Sequence, residues 1–207
     1  MAYRSKAYFL AKFISNYTVQ HEDMTDLADS ALFYSDDVGF ANTGAVFIQP
    51  STYPSDIDAS NCFLIKAPLY IGPELIDLSL SSNLLTSLII SPTLINLVNL
   101  DASGNFFTSI SIPAALVSLQ FLNFSSCNLL TCILPSTLAF LNNLDLSNNG
   151  LTIAGIESIL TALTSNLATI TIDLSGGTNA AKSTWTVAAL AAEAQIILNG
   201  GLVFSNP

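Results

Sequence analysis

Leu75-x-x-Leu78-x-Leu80-x-x-Asn83 is the stretch that decides the fold, because the same pattern returns three more times. The later copies are Leu97-x-x-Leu100-x-Ala102-x-x-Asn105, Leu119-x-x-Leu122-x-Phe124-x-x-Cys127 and Leu141-x-x-Leu144-x-Leu146-x-x-Asn149. Their first residues stand at positions 75, 97, 119 and 141, so the interval between copies is constant. Because every apolar position repeats together with the polar one, the pattern predicts a coil of equivalent turns.

Each turn contains signals for a strand, a corner and a return that is extended or a short 3₁₀ piece. The alternating leucines predict a short strand with apolar side chains pointing into the coil. The asparagine at the ninth position, replaced once by Cys127, is expected to hydrogen-bond backbone groups of the neighbouring turn. Prolines disfavour long helices later in three turns, at Pro92, Pro113 and Pro135. The inward positions after the corner are predicted to hold Leu85, Leu88, Phe107, Ile110, Leu129, Cys132, Leu151 and Ala154.

The last part of the chain departs from this spacing. Residues 153–163 have helical periodicity, and residues 169–174 are predicted to form the next strand, which makes one longer, 28-residue turn with a helix on its convex side. Gly177 is predicted to occupy the asparagine position. A final helix over residues 187–198 and a closing strand over 202–204 are expected to cap the coil. We expect the final helix to turn these residues inward: Val187, Leu190, Ala191, Ala194 and Ile197 or Leu198.

The pattern resembles the leucine-rich repeat in its period and in its Leu-x-x-Leu-x-Leu-x-x-Asn/Cys consensus. The resemblance implies an α/β solenoid of 22-residue turns, and the periodicity of the residues predicts convex helices in the later turns and a small helical module in front. We divide the chain into a helical docking segment at residues 1–40, a strand with a degenerate cap turn at 41–74, and the solenoid with its helix–strand cap at 75–207. The cap turn is suggested by Asn61, which precedes Asn83 by one full period of the repeat.

Composition excludes several classes of function. The chain has a net charge of −10 and only five Lys and Arg among 207 residues. Such a surface repels phosphates, so nucleic acid is not an expected partner. Only 10% of the residues are charged, against roughly a quarter in most proteins, which suggests a surface largely covered by neighbours. No apolar run approaches the roughly 20 residues needed to span a bilayer.

No residue set indicates catalysis or a cofactor. The single histidine, His21, lies in a polar linker, and Gly176-Gly177-Thr178 lacks the lysine of a phosphate loop. The three cysteines are an odd number without a CxxC pair, which argues against a disulfide framework and a zinc site. We therefore expect no enzyme activity, no cofactor and no metal centre.

The outward strand positions form polar ladders on the concave face, with neighbouring strands about 4.8 Å apart. Asp145 and Asp173 should be neighbours there, at about the carboxylate spacing of retaining glycosidases. They are also the one weak candidate for a cation site, because hard cations take carboxylate oxygens. The favoured interpretation is that the side chains of these ladders are solvated and take part in no reaction. The residues predicted to mediate interaction on this face are Asp101, Phe121, Asn123, Asp145 and Asp173.

Two stretches resemble bacteriophage proteins. Residues 3–6 (Tyr-Arg-Ser-Lys) and 25–30 (Thr-Asp-Leu-Ala-Asp-Ser) resemble an N-terminal segment found on tail, fibre and other virion proteins of tailed bacteriophages. Residues 173–181 (Asp-Leu-Ser-Gly-Gly-Thr-Asn-Ala-Ala) are similar to the C-terminal end of repeat proteins from phages and from marine or gut bacteria, although Lys182 stands where proline is usual. The aromatic residues expected to dock onto other virion proteins are Tyr3, Tyr8, Phe9 and Phe13.

These resemblances imply a non-enzymatic structural or adhesion component of a phage particle. Its location would be the virion, in multiple symmetric copies, with residues 1–40 docked onto other virion proteins and the solenoid exposed or packed laterally. The alternative is a repeat protein of the bacterial cell surface or exterior that binds a protein or glycan. A minor alternative is a glycan hydrolase that uses Asp145 and Asp173.

Overall fold

The computed structural model describes residues 55–61, 64–65, 67–68, 73–166 and 169–207. The predicted helical segment at residues 1–40, with its four aromatic docking residues, lies outside this part of the chain. The same holds for residues 41–54 of the segment that was predicted to contain a strand and a cap turn. The description below therefore concerns the solenoid and the turn that precedes it.

The solenoid is built on one parallel sheet, to which each turn contributes a strand. Leu100 pairs with Leu78 on one side and with Leu122 on the other, which confirms the predicted register of the central turns. Ile172 pairs with Leu144, as expected for the longer turn between them. In spatial order the strands are β1 (Asp56–Asp58), β3 (Asp77–Ser79), β5 (Asn99–Asp101), β7 (Phe121–Asn123), β9 (Asn143–Asp145), β10 (Thr171–Leu174) and β11 (Leu202–Ser205).

The return side of the coil changes from extended to helical along the chain. Its strands form two parallel pairs, β2 (Ala67–Pro68) with β4 (Leu88–Ile89) and β6 (Ser109–Ser111) with β8 (Thr131–Ile133). The prediction of an extended return in the proline-containing turns is thus confirmed. The last two returns contain the helices α1 (Ile153–Leu163) and α2 (Val187–Leu198), and a 3₁₀ turn covers Lys182–Thr184.

The turn that begins with β1 has a different register from the one predicted. Ile57 pairs with Leu78, so this turn is one residue shorter than the period of the later ones. Asn61 therefore lies opposite Ser82, one position before the equivalent of Asn83. Asn61 and Ser82 share a left-handed backbone conformation, each with φ of 54°, and both are exposed. Asn61 is consequently a corner residue and not a buried ladder asparagine.

The core is a continuous column of apolar side chains between the two sides of the coil. Phe107 and Phe124 pack edge to face within it, with ring centroids 5.7 Å apart. Cys127 and Cys132 are buried, as the repeat predicts. Ala154 is exposed, contrary to prediction, because a helix begins at Ile153 and its geometry turns Gly155 inward instead. A Cβ on Gly155 would lie 2.8 Å from the Leu130 carbonyl oxygen, so only glycine fits there.

Helix α2 covers the predicted residues but presents the opposite face to the core. Its buried residues are Ala189, Ala192, Glu193 and Ile196. Val187 was predicted to face inward but is 85% exposed, and Ile197 and Leu198, one of which was predicted to do so, are 51% and 79% exposed. The buried face carries small side chains at Ala189 and Ala192, which let the helix pack closely, and the charge of Glu193 on that face is compensated by Lys182, with Nζ and Oε1 2.6 Å apart.

Short polar contacts begin and end α2. Thr186 Oγ1 accepts a hydrogen bond from the Ala189 amide and donates one to the Glu157 carboxylate on α1, so one hydroxyl links both helices. At the other end, Gly200 has φ of 90°, and the amides of Gly200 and Gly201 donate to the Ile197 and Ile196 carbonyls. This pair of hydrogen bonds is the helix ending expected from the Asn199-Gly200-Gly201 sequence.

Candidate functional site

Buried asparagines set the shape of each strand exit and so position the concave face. Asn105 Nδ2 donates to the Ala102 carbonyl of its own turn at 2.9 Å and to the Leu80 carbonyl of the preceding turn at 3.0 Å. Its Oδ1 accepts from the Leu85 amide at 3.0 Å. At the same position in the next turn, Cys127 Sγ donates to the Ala102 carbonyl. These contacts fix neighbouring turns in one register. We call Asn83, Asn105, Asn149 and Asn179 the asparagine ladder.

The last member of the ladder is Asn179 and not Gly177. Gly177 does lie opposite Asn149 in the backbone alignment. However, Gly176 and Gly177 have positive φ values of 75° and 56° and add two residues to the corner. The ladder side chain is thereby displaced to Asn179, whose Oδ1 accepts from the Leu151 amide at 2.8 Å. The glycines are needed because a Cβ on Gly177 would lie 2.5 Å from the Asn149 carbonyl oxygen.

The concave face consists of three rows of outward side chains across the seven-stranded sheet. The first row holds Asp56, Asp77, Asn99, Phe121, Asn143, Thr171 and Leu202. The second row holds Asp58, Ser79, Asp101, Asn123, Asp145, Asp173 and Phe204. The third row, two residues beyond the second, holds Ser60, Ser81, Ser103, Ser125, Ser147, Ser175 and Asn206. The sheet thus brings the five predicted interaction residues of the solenoid onto one surface.

Second-row side chains are tied to their own turns. Asp101 Oδ1 accepts from the Ser103 amide at 3.0 Å, and Asp145 Oδ1 accepts from the Ser147 amide at 2.9 Å. Asn123 makes the equivalent contact with the Ser125 amide at 2.9 Å. Because a neutral amide replaces the carboxylate in the same geometry, the turn requires an acceptor and not a charge.

Asp145 and Asp173 are register partners on adjacent strands, as the repeat alignment predicts. Asp173 Oδ1 accepts from both the amide and the hydroxyl of Ser175, the latter at 2.6 Å. Each of these two carboxylates therefore has one oxygen engaged by its own turn. Within the described residues, no group of three or more His, Cys, Asp and Glu side chains could hold a metal ion.

Phe121 is the aromatic residue in the middle of the concave face. It is half-buried in the first row and pairs in register with Asn99 on one side and Asn143 on the other. Asn99 Nδ2 in turn donates to Asp77 Oδ1, so the row beside Phe121 is hydrogen-bonded across strands. The arrangement offers one apolar ring among amide and carboxylate oxygens.

The concave face is acidic without a compensating base. Its carboxylates are Asp56, Asp58, Asp77, Asp101, Asp145 and Asp173. Lys182 is the basic residue within 73–166 and 169–207, and it is paired with Glu193 in the last turn. The face therefore favours partners that donate hydrogen bonds or carry positive charge.

Two surface features were not predicted from the sequence. Leu202 and Phe204 place large apolar side chains at the end of the concave face, because the closing strand continues the first two rows. An open groove of about 550 Å³ lies beside α1, lined among others by Leu134, Ser136, Glu157 and Thr161. The groove arises where the repeat that contains α1 stacks on a repeat with an extended return. Neither feature could be read from periodicity alone.

Comparison with known proteins agrees with this geometry. A family model described as Leucine Rich Repeat matches residues 118–141. Among curated protein sequences, none is detectably similar to this chain. In the part of the chain that the structure describes, no helix is long and apolar enough to cross a membrane. The family match over residues 118–141, the constant register of the strands and the asparagine ladder together support a leucine-rich repeat fold for the solenoid.

Proposed function

We propose that this chain is a non-enzymatic structural or adhesion component of a bacteriophage particle. Residues 1–40 dock onto other virion proteins, and the solenoid is exposed or packed laterally in multiple copies. The first support is the resemblance of residues 3–6, 25–30 and 173–181 to segments of phage proteins. The low content of charged residues, 10% of the chain, suits a protein with much of its surface against neighbours.

The observation that carries this proposal is the set of large apolar side chains on the outside of the coil. Ile89 is 78% exposed and Ile133 is 58% exposed, on the outward faces of β4 and β8. Phe140, at the return corner of the same turn as Ile133, is 60% exposed. Exposed apolar groups spread along several turns favour lateral packing against other proteins.

The second-row carboxylates add support for a role without catalysis. General acid–base chemistry needs titratable groups that converge on a substrate and differ in protonation. Here Asp101, Asp145 and Asp173 repeat one contact with the backbone of their own turns. Asn123 makes that contact without any titratable group. A repeated architectural role accounts for the ladder of carboxylates.

The experiment is deletion of residues 1–40, followed by recovery of assembled particles on a density gradient and immunodetection of the chain. We expect the truncated chain to fold, because each repeat contacts mainly its neighbours, and to be absent from the particle fraction. The matched control is Ser103→Ala in the full chain, which should be incorporated normally. Incorporation of the truncated chain would place the docking surface on the solenoid. Failure of every form to enter particles would refute the phage role.

A second candidate is a bacterial surface or exported repeat protein that binds a protein or glycan through the concave face. Phe121 favours it, because an aromatic ring among amides and carboxylates can stack on a sugar while its neighbours bind hydroxyls. A glycan array with the full chain tests this candidate, with Phe121→Ala as the variant that should lose binding. The same array, followed over time with Asp145→Asn and Asp173→Asn as controls, tests the minor alternative of glycan hydrolysis.

A further inference from the structure

Among the residues that the structure describes, strand β11 has no strand on its outer side and is an open edge of the seven-stranded sheet. It pairs with β10 on one side and is the last strand in the spatial order. The Leu202 amide donates to the Ile170 carbonyl at 2.8 Å, so Leu202 directs its backbone groups toward β10. Alternate residues of a strand direct their backbone groups to opposite sides. Val203 and Ser205 therefore present their amides and carbonyls away from the sheet.

Apart from its length of four residues, this edge lacks the features that usually prevent pairing with another strand. Charged side chains, proline within the strand and bulges are the common protections of an edge. Strand β11 reads Leu-Val-Phe-Ser and has none of them. Leu202 is 56% exposed and Phe204 is 51% exposed, at positions where the other strands of the sheet mostly carry polar side chains. The edge is thus both unprotected and apolar.

The end of the coil is also uncharged, which selects a second copy of this chain as the occupant. Within residues 175–207 the only charged side chains are Lys182 and Glu193, which form an ion pair. The rest of the chain carries the whole net charge of −10 and would repel another copy. Helix α2 belongs to the same terminal turn and adds exposed apolar side chains at Val187, Leu190, Ile197 and Leu198.

We propose that two copies of this chain pair through their β11 edges about a two-fold axis at Phe204. In an antiparallel pair, residues with outward backbone groups must face each other to exchange hydrogen bonds. Val203 then pairs with Ser205 of the partner subunit, and Ser205 with Val203 of the partner subunit. The axis places the Phe204 side chain opposite Phe204 of the partner subunit on the concave face, in the close position that favours aromatic pairs. Two seven-stranded sheets join into one, through a self-complementary contact of the kind that closes two-fold dimers.

Cysteine cross-linking tests the axis. In a full chain with Cys62→Ser, Phe204→Cys should form a disulfide-linked dimer under mild oxidation, because residues opposite each other in a non-hydrogen-bonded pair approach within disulfide distance. Leu202→Cys is the matched control. It should not cross-link, because each Leu202 lies opposite Asn206 of the partner subunit, about 13 Å from its symmetry mate along the strand. Cross-linking of both variants equally, or of neither, would overturn the proposal.

Solution mass tests the edge itself. The wild-type full chain, of 21.9 kDa, should show twice that mass by light scattering at micromolar concentration. Ser205→Pro should return it to the monomer mass, because the removed amide points away from β10 and its loss should leave the chain folded. Phe121→Lys, on the same face three strands away, should remain dimeric, whereas Phe204→Lys should not. A monomeric wild type, or a dimer that survives Ser205→Pro, would disprove pairing through β11.

Discussion

At the scale of single residues, the asparagine ladder supplies hydrogen-bond partners to backbone groups that the coil would otherwise bury unpaired. Asn149 Oδ1 accepts from the amides of Cys127 and Leu129, each at 2.9 Å. Its Nδ2 donates to the carbonyls of Phe124 and Leu146, also at 2.9 Å. One side chain thus satisfies groups on two turns, and a side chain without both a donor and an acceptor cannot do so.

Asn105→Ala should lower the free energy of unfolding by about 1–3 kcal/mol, because the buried backbone groups that it serves lose their partner. Ser103→Ala is the matched control, two residues away on the concave face. It should change stability by no more than about 0.5 kcal/mol, since the backbone amide that binds Asp101 is kept. Chemical denaturation of both variants measures the difference. Equal losses of stability would show that the ladder assignment is wrong.

The buried thiols should not react in the native protein. Burial raises the pKa of Cys127 to about 11 and that of Cys132 to about 12, from an ordinary value of 9.0. The thiolate is the reactive form, so both residues are protonated and enclosed at pH 8. In a Cys62→Ser chain, a maleimide reagent should label them only after denaturant is added. Rapid labelling without denaturant would refute the inward position of both residues.

The same pKa values predict a loss of stability in alkali. Because the folded pKa lies above the unfolded one, the folded state holds its thiol protons to higher pH, and the stabilisation present below about pH 9 is lost as pH rises toward 11. Between pH 7 and pH 10, the melting temperature should fall less steeply for Cys132→Ala than for the wild type. A parallel course for the two proteins would contradict the assigned burial.

At the scale of elements, one threonine couples the two helical turns. Thr186 begins α2 by accepting from the Ala189 amide at 3.0 Å, and its hydroxyl donates to Glu157 of α1. Thr152 begins α1 in the same way, by accepting from the Gly155 amide at 3.1 Å. On the return side, helices replace strands in two repeats. Both repeats are long enough for about three turns of helix, and in both a threonine is the N-cap of the helix.

Thr186→Ala should destabilise the chain by about 0.5–2 kcal/mol, because the cap of α2 is lost together with its contact to α1. Thr186→Ser keeps the hydroxyl and should retain most of that stability. Urea denaturation followed by circular dichroism compares the two variants. If the serine variant were as unstable as the alanine variant, the methyl group rather than the hydroxyl would be responsible.

At the scale of the whole molecule, the concave face gathers like charges that the sequence separates by many residues. Six carboxylates lie on it, from Asp56 on β1 to Asp173 on β10. Their mutual repulsion opposes folding, and salt should weaken it because the groups are half-exposed. This repulsion is offset because each second-row carboxylate also stabilises its own corner by accepting a backbone hydrogen bond.

Asp101→Asn should therefore be neutral or stabilising, because the amide keeps the acceptor for the Ser103 amide and removes one charge. Asp101→Ala should destabilise by about 0.5–1.5 kcal/mol, the value of an ordinary hydrogen bond. Melting temperatures at low and high NaCl concentration measure both effects, and any gain in the asparagine variant should shrink at high salt. A marked loss of stability in Asp101→Asn would show that the charge itself is required.

Much of the fold and of the concave face follows from periodicity, and the failures are informative. The register of Leu78, Leu100, Leu122 and Leu144 follows from spacing, because a strand period of two and a constant turn length leave one alignment. The buried face of α2 does not follow from spacing, because apolar residues occur on all sides of this helix. The buried side is the one that carries Ala189, Ala192 and Glu193, and Lys182, from another part of the turn, pairs with Glu193 there.

The amino-acid sequence by itself determined the coil, the order of its strands, the helical returns and the membership of the concave rows in the central turns, because local period and turn length specify them. Only the tertiary structure decided that Asn179 ends the ladder, that Asn61 lies one position out of register, and that β11 is the edge strand of the sheet formed by the described residues. Each of these depends on the backbone path at a corner, where one or two residues with positive φ shift everything that follows. Such shifts are set by packing against the neighbouring turn, which no local pattern records.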